Sequence, residues 1–241
     1  MKLLILFTVF CYSVTALELP SYITACSKSS PDFTNCAKES AKTAIPALVN
    51  GDTKYHIPKL NPLTIDEIII ESNGQLKIQL HKAKVYGLSD GKLTDIKLDE
   101  KNGVLDISLD IDNLNIQSDY EINGRILVLP ISGKGPANIT AVGGHYNVKV
   151  NFDLIEKKGV KYLKLKDTDV KFDVKRAYFR LENLFDGNKE LSDQMNKVLD
   201  DSWKDVLKDI GPAIAKAVGA IVEQLAMGVF ERVPYDKFFL P

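Results

Sequence analysis

An α+β chain, in which antiparallel strands curl around a long C-terminal helix, is predicted by two hydrophobic periods and by the turns that punctuate the first of them. From about Ile65 to Leu181 apolar residues recur at every second position, as in strands with one dry face and one wet face. After Asp186-Gly187-Asn188 the spacing becomes three or four, which is helical. Asn73-Gly74, Asp90-Gly91, Asn102-Gly103, Asn123-Gly124 and Lys158-Gly159 interrupt the first region with pairs suited to the positive φ angles of tight hairpins.

The opening MKLLILFTVFCYSVTA has one charge at Lys2, an apolar run and small residues toward Ala16, the build of a secretory leader cleaved after Ala16. Residues 17–241 are then expected to form a single domain in an oxidising, extracellular compartment. Cys11 departs with the leader, so Cys26 and Cys36 are the two cysteines left and are expected to pair. A two-cysteine metal site is the alternative, with no histidine nearby to complete it. Between Pro31 and Val49 the spacing of Ala37, Ala41, Ile45 and Leu48 predicts a helix that Pro46 kinks or ends. HIPKLNPL follows as an extended connector.

The strand region alternates cleanly. Leu76, Ile78 and Leu80 interleave with Lys77 and Gln79; Ile107, Leu109 and Ile111 with Ser108 and Asp110; Val148, Val150 and Phe152 with Lys149 and Asn151; Val170, Phe172 and Val174 with Lys171 and Asp173. At least six or seven strands in a meander are expected. Asn138-Ile139-Thr140 is an N-glycosylation acceptor in a Gly- and Pro-containing stretch that reads as a loop.

The helical stripe runs from Leu191 through Trp203, Val206 and Ile210, then past Gly211-Pro212 through Ile214, Val218 and Ile221 to Val229. About 40 residues of helix would measure ~60 Å, against a radius of gyration of ~17 Å for a compact chain of this size, so the sheet must curl around the rod. A bend is expected at Pro212. Beyond it the helix is apolar nearly all round, which predicts enclosure.

Net charge is −1 with both signs mixed along the chain, which supplies no field for nucleic acid. After the leader no run is long enough and free enough of charge to insert stably in a membrane, since PAIAKAVGAIVEQLAMGVF contains Lys216 and Glu223. GLSDG matches the Gly-x-Ser-x-Gly pattern of hydrolase nucleophiles at Ser89, but KLTDIKLDE behind it alternates like a strand where the motif requires a helix. Of the three histidines, His81 and His145 share the phase of polar neighbours and His56 lies in the connector, so none is set as a buried base. No catalytic residue, cofactor or metal site is expected, and Trp203 is read as a core anchor that also borders ligand.

Together the Cys26 and Cys36 pair, IPKLNPL, KVYGLSDGKL, NLFDGNKELSDQMNKVLDDSWKDVL and VPYDKFF resemble the insect Takeout and haemolymph juvenile-hormone-binding protein family. The resemblance implies a long helix wrapped by a highly curved antiparallel sheet around an elongated internal apolar tunnel. It further implies a carrier of a hydrophobic small molecule, terpenoid or lipid-like. The chain lacks the second cysteine pair of the hormone-binding branch, so the Takeout branch is the nearer one. Inward-phase residues expected to line the tunnel are Leu80, Leu109, Val128, Val150, Phe172, Tyr178, Trp203, Val206, Ile210, Ile214 and Ile221. A binder of membrane lipid or lipopolysaccharide surfaces is the alternative. A monomer is expected, there being no coiled-coil seam or further cysteine.

Overall fold

The computed structural model describes residues 16–72 and 74–241. Apart from Ala16, the expected leader lies outside the described residues, as does Asn73 of the first turn pair.

Six antiparallel strands form one sheet. β2 (Leu63–Ser72), β3 (Leu76–Tyr86), β5 (Val104–Ile126), β6 (Leu129–Lys157) and β7 (Val160–Leu181) are neighbours in that order. β4 (Lys92–Asp99) shares one flank of β5 with β3: it pairs with residues 104–110 of β5, and β3 with residues 115–124. β5, β6 and β7 are 23, 29 and 22 residues long, several times the usual ~5–6. Over such lengths the right-handed strand twist accumulates, and the sheet coils into a trough.

Apart from a bulge on β7 between Leu165 and Asp167, where the buried phase passes from Leu163 and Leu165 to Val170, the inward phase changes once along the trough, on all three long strands together. On β7, Val170 and Val174 are buried before the change and Ala177, Phe179 and Leu181 after it. On β6, Ile131 and Ala137 are buried on one side and Val148, Val150 and Phe152 on the other; on β5, Leu105 and Ile111 give way to Tyr120, Ile122 and Ile126. The slip falls at Asp112, Gly143 and Lys175, between the paired rows Ile111–Gly144–Val174 and Asn113–Val142–Arg176. A shift of one residue reverses the facing of every side chain beyond it.

Two strand-region expectations are corrected. Asn123-Gly124 is not a turn; it lies inside β5, and the chain reverses instead at Leu127-Val128, where Leu127 has φ 57° and its amide donates to Asp209 Oδ2 at 2.7 Å. Nor is the Asn138 sequon in a loop. Asn138 sits within β6 between Gln117 and Arg180. The glycines that suggested a loop make room for a crossing chain: a Cβ on Gly135 would stand 2.6 Å from the Glu182 carbonyl oxygen, and one on Gly133 2.8 Å from Leu184 Cα.

The helical stripe forms α2 (Lys189–Asp201) and α3 (Trp203–Phe230), with Asn188 capping α2 by accepting from the Leu191 amide at 3.1 Å. The interruption is at Ser202, and α3 passes through Pro212 without ending. Arg176 explains the site of the break: its Nη1 donates at 2.7 Å to the Asp200 carbonyl, the acceptor that the Lys204 amide would use in a continuous helix. α2 is fastened to the edge of β7, where Leu181 exchanges two 2.8 Å hydrogen bonds with buried Asn196 and the Phe179 amide donates to Asp200 Oδ1 at 2.9 Å. Both outer strands of the sheet, β2 and β7, contact α3, so the helix fills the open side of the trough.

α3 is less enclosed than its composition predicts. Past Gly211 only Gly219 is buried, and Pro212, Lys216, Ala220 and Gln224 make an exposed line at fourfold spacing. A helix seated in an open trough keeps one face in water.

At one end of the trough the arms of the chain meet. α1 (Phe33–Leu48) runs through Pro46, and its buried face is Ser40 and Ala44, about one position around from the predicted stripe. A disulfide joins Cys26 to Cys36, tying β1 (Cys26–Ser27) to α1. β1 pairs in parallel with β8 (Phe239–Leu240), which follows the short α4 (Tyr235–Phe238). Tyr55, Val233, Tyr235, Phe238 and Phe239 pack there as an aromatic plug against Leu105, Phe152 and Leu163.

The disulfide closes a sequence separation of 10 residues, so Cys36→Ser is expected to lower unfolding free energy by about 3 kcal/mol. Urea denaturation under oxidising conditions measures this, and the far-ultraviolet strand signal should be retained before the transition.

Candidate ligand-binding cavity

Alternation on the long strands sends apolar side chains into the trough, and α3 brings a second apolar face toward them. The two surfaces do not meet everywhere. Two packed clusters fill the ends, one around Tyr120, Leu184, Leu199 and Val206, the other at the aromatic plug. Between them lies a cavity of about 280 Å³, bordered by members of both. Among its walls are Ile78 and Leu80 of β3, Leu109, Ile111 and Ile116 of β5, Val148 of β6, Phe172 and Phe179 of β7, and Ile210, Ile214, Val218 and Val222 of α3. Apolar cavities of ~150 Å³ already stay dry and admit benzene.

Two tyrosines border this space through their rings. Tyr120 donates to the Glu182 carbonyl at 2.8 Å and is satisfied. Tyr146 is not: its hydroxyl is buried and without a hydrogen-bond partner. The ring folds back along β6 over Gly144, where an added Cβ would lie 2.4 Å from a ring carbon. Its centroid is 6.4 Å from that of Phe172. Desolvation pushes both phenols up to about 12, so each remains a neutral donor at physiological pH.

Six of the residues expected at the lining border the cavity: Leu80, Leu109, Phe172, Val206, Ile210 and Ile214. Val150 packs into the solid cluster beside the plug. Trp203 faces a separate groove between β7 and α3, with the Arg176 guanidinium 5.6 Å above its ring. Ile221 is half-buried on α3 beside the cavity-facing Val222 and is absent from the wall. Val128 and Tyr178 are corrections. Val128 is 83% exposed at the β5–β6 reversal, beyond the alternating part of either strand. Tyr178 is 48% exposed because the phase slip at Lys175 turns it outward, where Arg176 stacks on it at 4.6 Å. Tyr146 and Val222 were not anticipated; Gly144 two residues before an aromatic on one strand face was the available sign of Tyr146.

Ser89 occupies a short 3₁₀ turn, Leu88–Asp90, and its Oγ is 3.4 Å from Asp90 Oδ1. β4 follows, so the strand–turn–helix of a nucleophile elbow is not formed. His145 Nδ1 is 2.6 Å from Asp110 and His81 Nδ1 3.7 Å from Glu67, both pairs on the exposed side of the sheet. Among the described residues no three metal-ligating side chains converge.

A coiled antiparallel sheet closed by one long helix over an apolar cavity is the architecture shared by a known family of proteins. The chain belongs to the haemolymph juvenile hormone binding protein family, whose model matches residues 4–240. It is similar to daywake of Drosophila melanogaster, a circadian clock-controlled protein, with 28% identity over 216 residues that span 85% of this chain and 83% of daywake. A putative β-carotene-binding protein of Schistocerca gregaria is 27% identical over 114 residues, 46% of this chain and 45% of that one. Among solved structures, Takeout 1 of Epiphyas postvittana superposes with a TM-score of 0.78 at 26% identity, covering 90% of this chain and 99% of that one.

Two outcomes test this geometry. Tyr146→Phe removes a buried donor without a partner, so the ligand-free protein should gain about 1 kcal/mol in thermal or urea unfolding. With Tyr120 and Tyr146 held neutral up to about 12, against ~10 when unfolded, the folded state binds more protons above ~10. Stability is therefore fully present below pH ~10 and should fall as pH rises through ~12, read as a declining melting temperature over that interval.

Proposed function

We propose that the protein is an extracellular carrier that holds one hydrophobic small molecule, terpenoid or lipid-like, non-covalently in a tunnel continuous with the cavity. Residues 1–16 serve as the cleaved leader and residues 17–241 as the mature carrier, a monomer with Asn138 open to glycosylation on the outer face of β6. The observation that carries this proposal is the apolar space of about 280 Å³ between the sheet and α3. Removing apolar surface from water supplies ~0.8 kcal/mol per buried CH2, so a chain of about 15 carbons reaches micromolar affinity with little polar help. One or two polar side chains near the tunnel mouth fix the direction of binding.

Membership of a family named for a hormone-binding protein and similarity to a putative carotenoid binder support the ligand class. α3 reaches the mean hydropathy of a membrane span, 1.5, yet it carries Lys216 and Glu223 and contacts both outer strands. Its apolar surface is accordingly assigned to the tunnel rather than to a bilayer.

Native mass spectrometry of the protein purified from a secreting insect cell line is the direct test. A co-purifying hydrophobic molecule near unit stoichiometry, lost on organic extraction, is expected. Ile214→Trp, which projects an indole into the cavity, should abolish that adduct with the melting temperature little changed. Wild-type protein that neither co-purifies with nor takes up a hydrophobic ligand would contradict the assignment.

A further inference from the structure

A second concavity, an open groove of about 750 Å³, lies along the seam between β7 and the first half of α3. β7 is the outer strand of the sheet on this side. Its amides at Phe179 and Leu181 are capped by α2, and the Leu165 amide donates to Glu231 at 3.2 Å, so the groove occupies the stretch between two fastenings.

The floor is apolar and shared with the cavity. Val170, Phe172, Val174 and Leu207 border both spaces, so one layer of side chains separates them. The helix is thin here: Gly211 has no side chain, and a Cβ at that position would lie 3.8 Å from Phe172 Cζ.

The rim is cationic. Lys171 and Lys175 flank Asp173 on β7, and Lys204 and Lys208 stand one turn apart on α3. All four lysines are exposed, and among the described residues none has a carboxylate within salt-bridge distance. Of the acids on this side of the helix, Asp200 accepts from the Phe179 amide and Asp209 from the Leu127 amide, while Asp201 and Asp205 are exposed beside Lys204 but do not line the groove. Along the groove lining itself the balance is four lysines to one acid, in a chain of net charge −1, and an anion in the groove relieves the repulsion among them.

We propose that this groove is the mouth of the cavity, and that Lys171, Lys175, Lys204 and Lys208 select ligands with an anionic head, single-chain amphiphiles bearing a carboxylate whose tail passes Phe172 and Leu207 into the apolar space. The inference rests on the carrier assignment and adds to it the position of entry and the charge of the preferred ligand. The head stays in the hydrated groove while the tail is buried, which avoids the cost of taking a carboxylate into the interior.

Oleic acid and methyl oleate, identical in tail and different in charge, are the probes. Their dissociation constants are measured below the micellar concentration by displacement of a fluorescent fatty ligand, at low and high salt. The comparison uses wild-type protein and a variant carrying Lys171→Gln, Lys175→Gln, Lys204→Gln and Lys208→Gln. At low salt the acid should bind wild type about tenfold more tightly than the ester, and salt should erode the difference. In the variant the two constants should converge through loss of acid binding, with the ester constant unchanged. Equal binding of acid and ester by wild type, or a preference that survives in the variant, overturns the proposal while leaving the carrier intact. Binding of neither probe overturns both. Wild-type sedimentation with anionic vesicles that the variant loses, with acid preference unaltered, would also overturn it and assign the lysines to a membrane surface.

Discussion

Everything in this molecule follows from a sheet that coils but does not close. Long strands carry enough twist to make a trough, and α3 spans the gap between its outer strands β2 and β7. A single rod cannot fill a trough of changing width. Where the wall approaches the helix the side chains interdigitate, and where it recedes they leave an apolar space, the candidate site.

The ends are treated differently from the middle. At one end α2 is bonded onto the edge of β7 through Asn196 and Asp200, and at the other the disulfide, the β1–β8 pair and the aromatic plug draw both arms of the chain together. These fastenings hold the trough at a fixed width, so a cavity that favours its own collapse is kept open by its ends. Tyr146 adds a second local cost, a buried hydroxyl without a partner. Under the carrier proposal a ligand that fills the apolar space relieves the first of these costs.

Much of the fold was legible in the sequence because period two and period 3.6 report directly which face is dry. The strand region and the helical stretch after residue 188 follow from such local signals, and the cysteine pair from the count left after the leader. What was not legible is what depends on two segments at once. The phase slip at Asp112, Gly143 and Lys175 reverses facing without altering composition, so extending the Phe172 phase to Tyr178 placed that ring on the wrong side. Gly133, Gly135 and Pro136 look like loop residues until residues 182–184 are seen to cross them. The break at Ser202 depends on Arg176 reaching a helix carbonyl, a contact between distant parts of the chain. Hollowness itself leaves no periodic trace, and Leu80 or Ile210 would show the same spacing in a solid core.

Crystals pressurised with xenon measure the hollow most directly, because xenon reports dry apolar volume independently of any natural ligand. Anomalous density between Phe172, Ile111 and Ile214, beside the Tyr146 ring, is the result expected. Continuous side-chain density there with no bound xenon would contradict the central claim, for the helix and the sheet would then be packed together along their whole length.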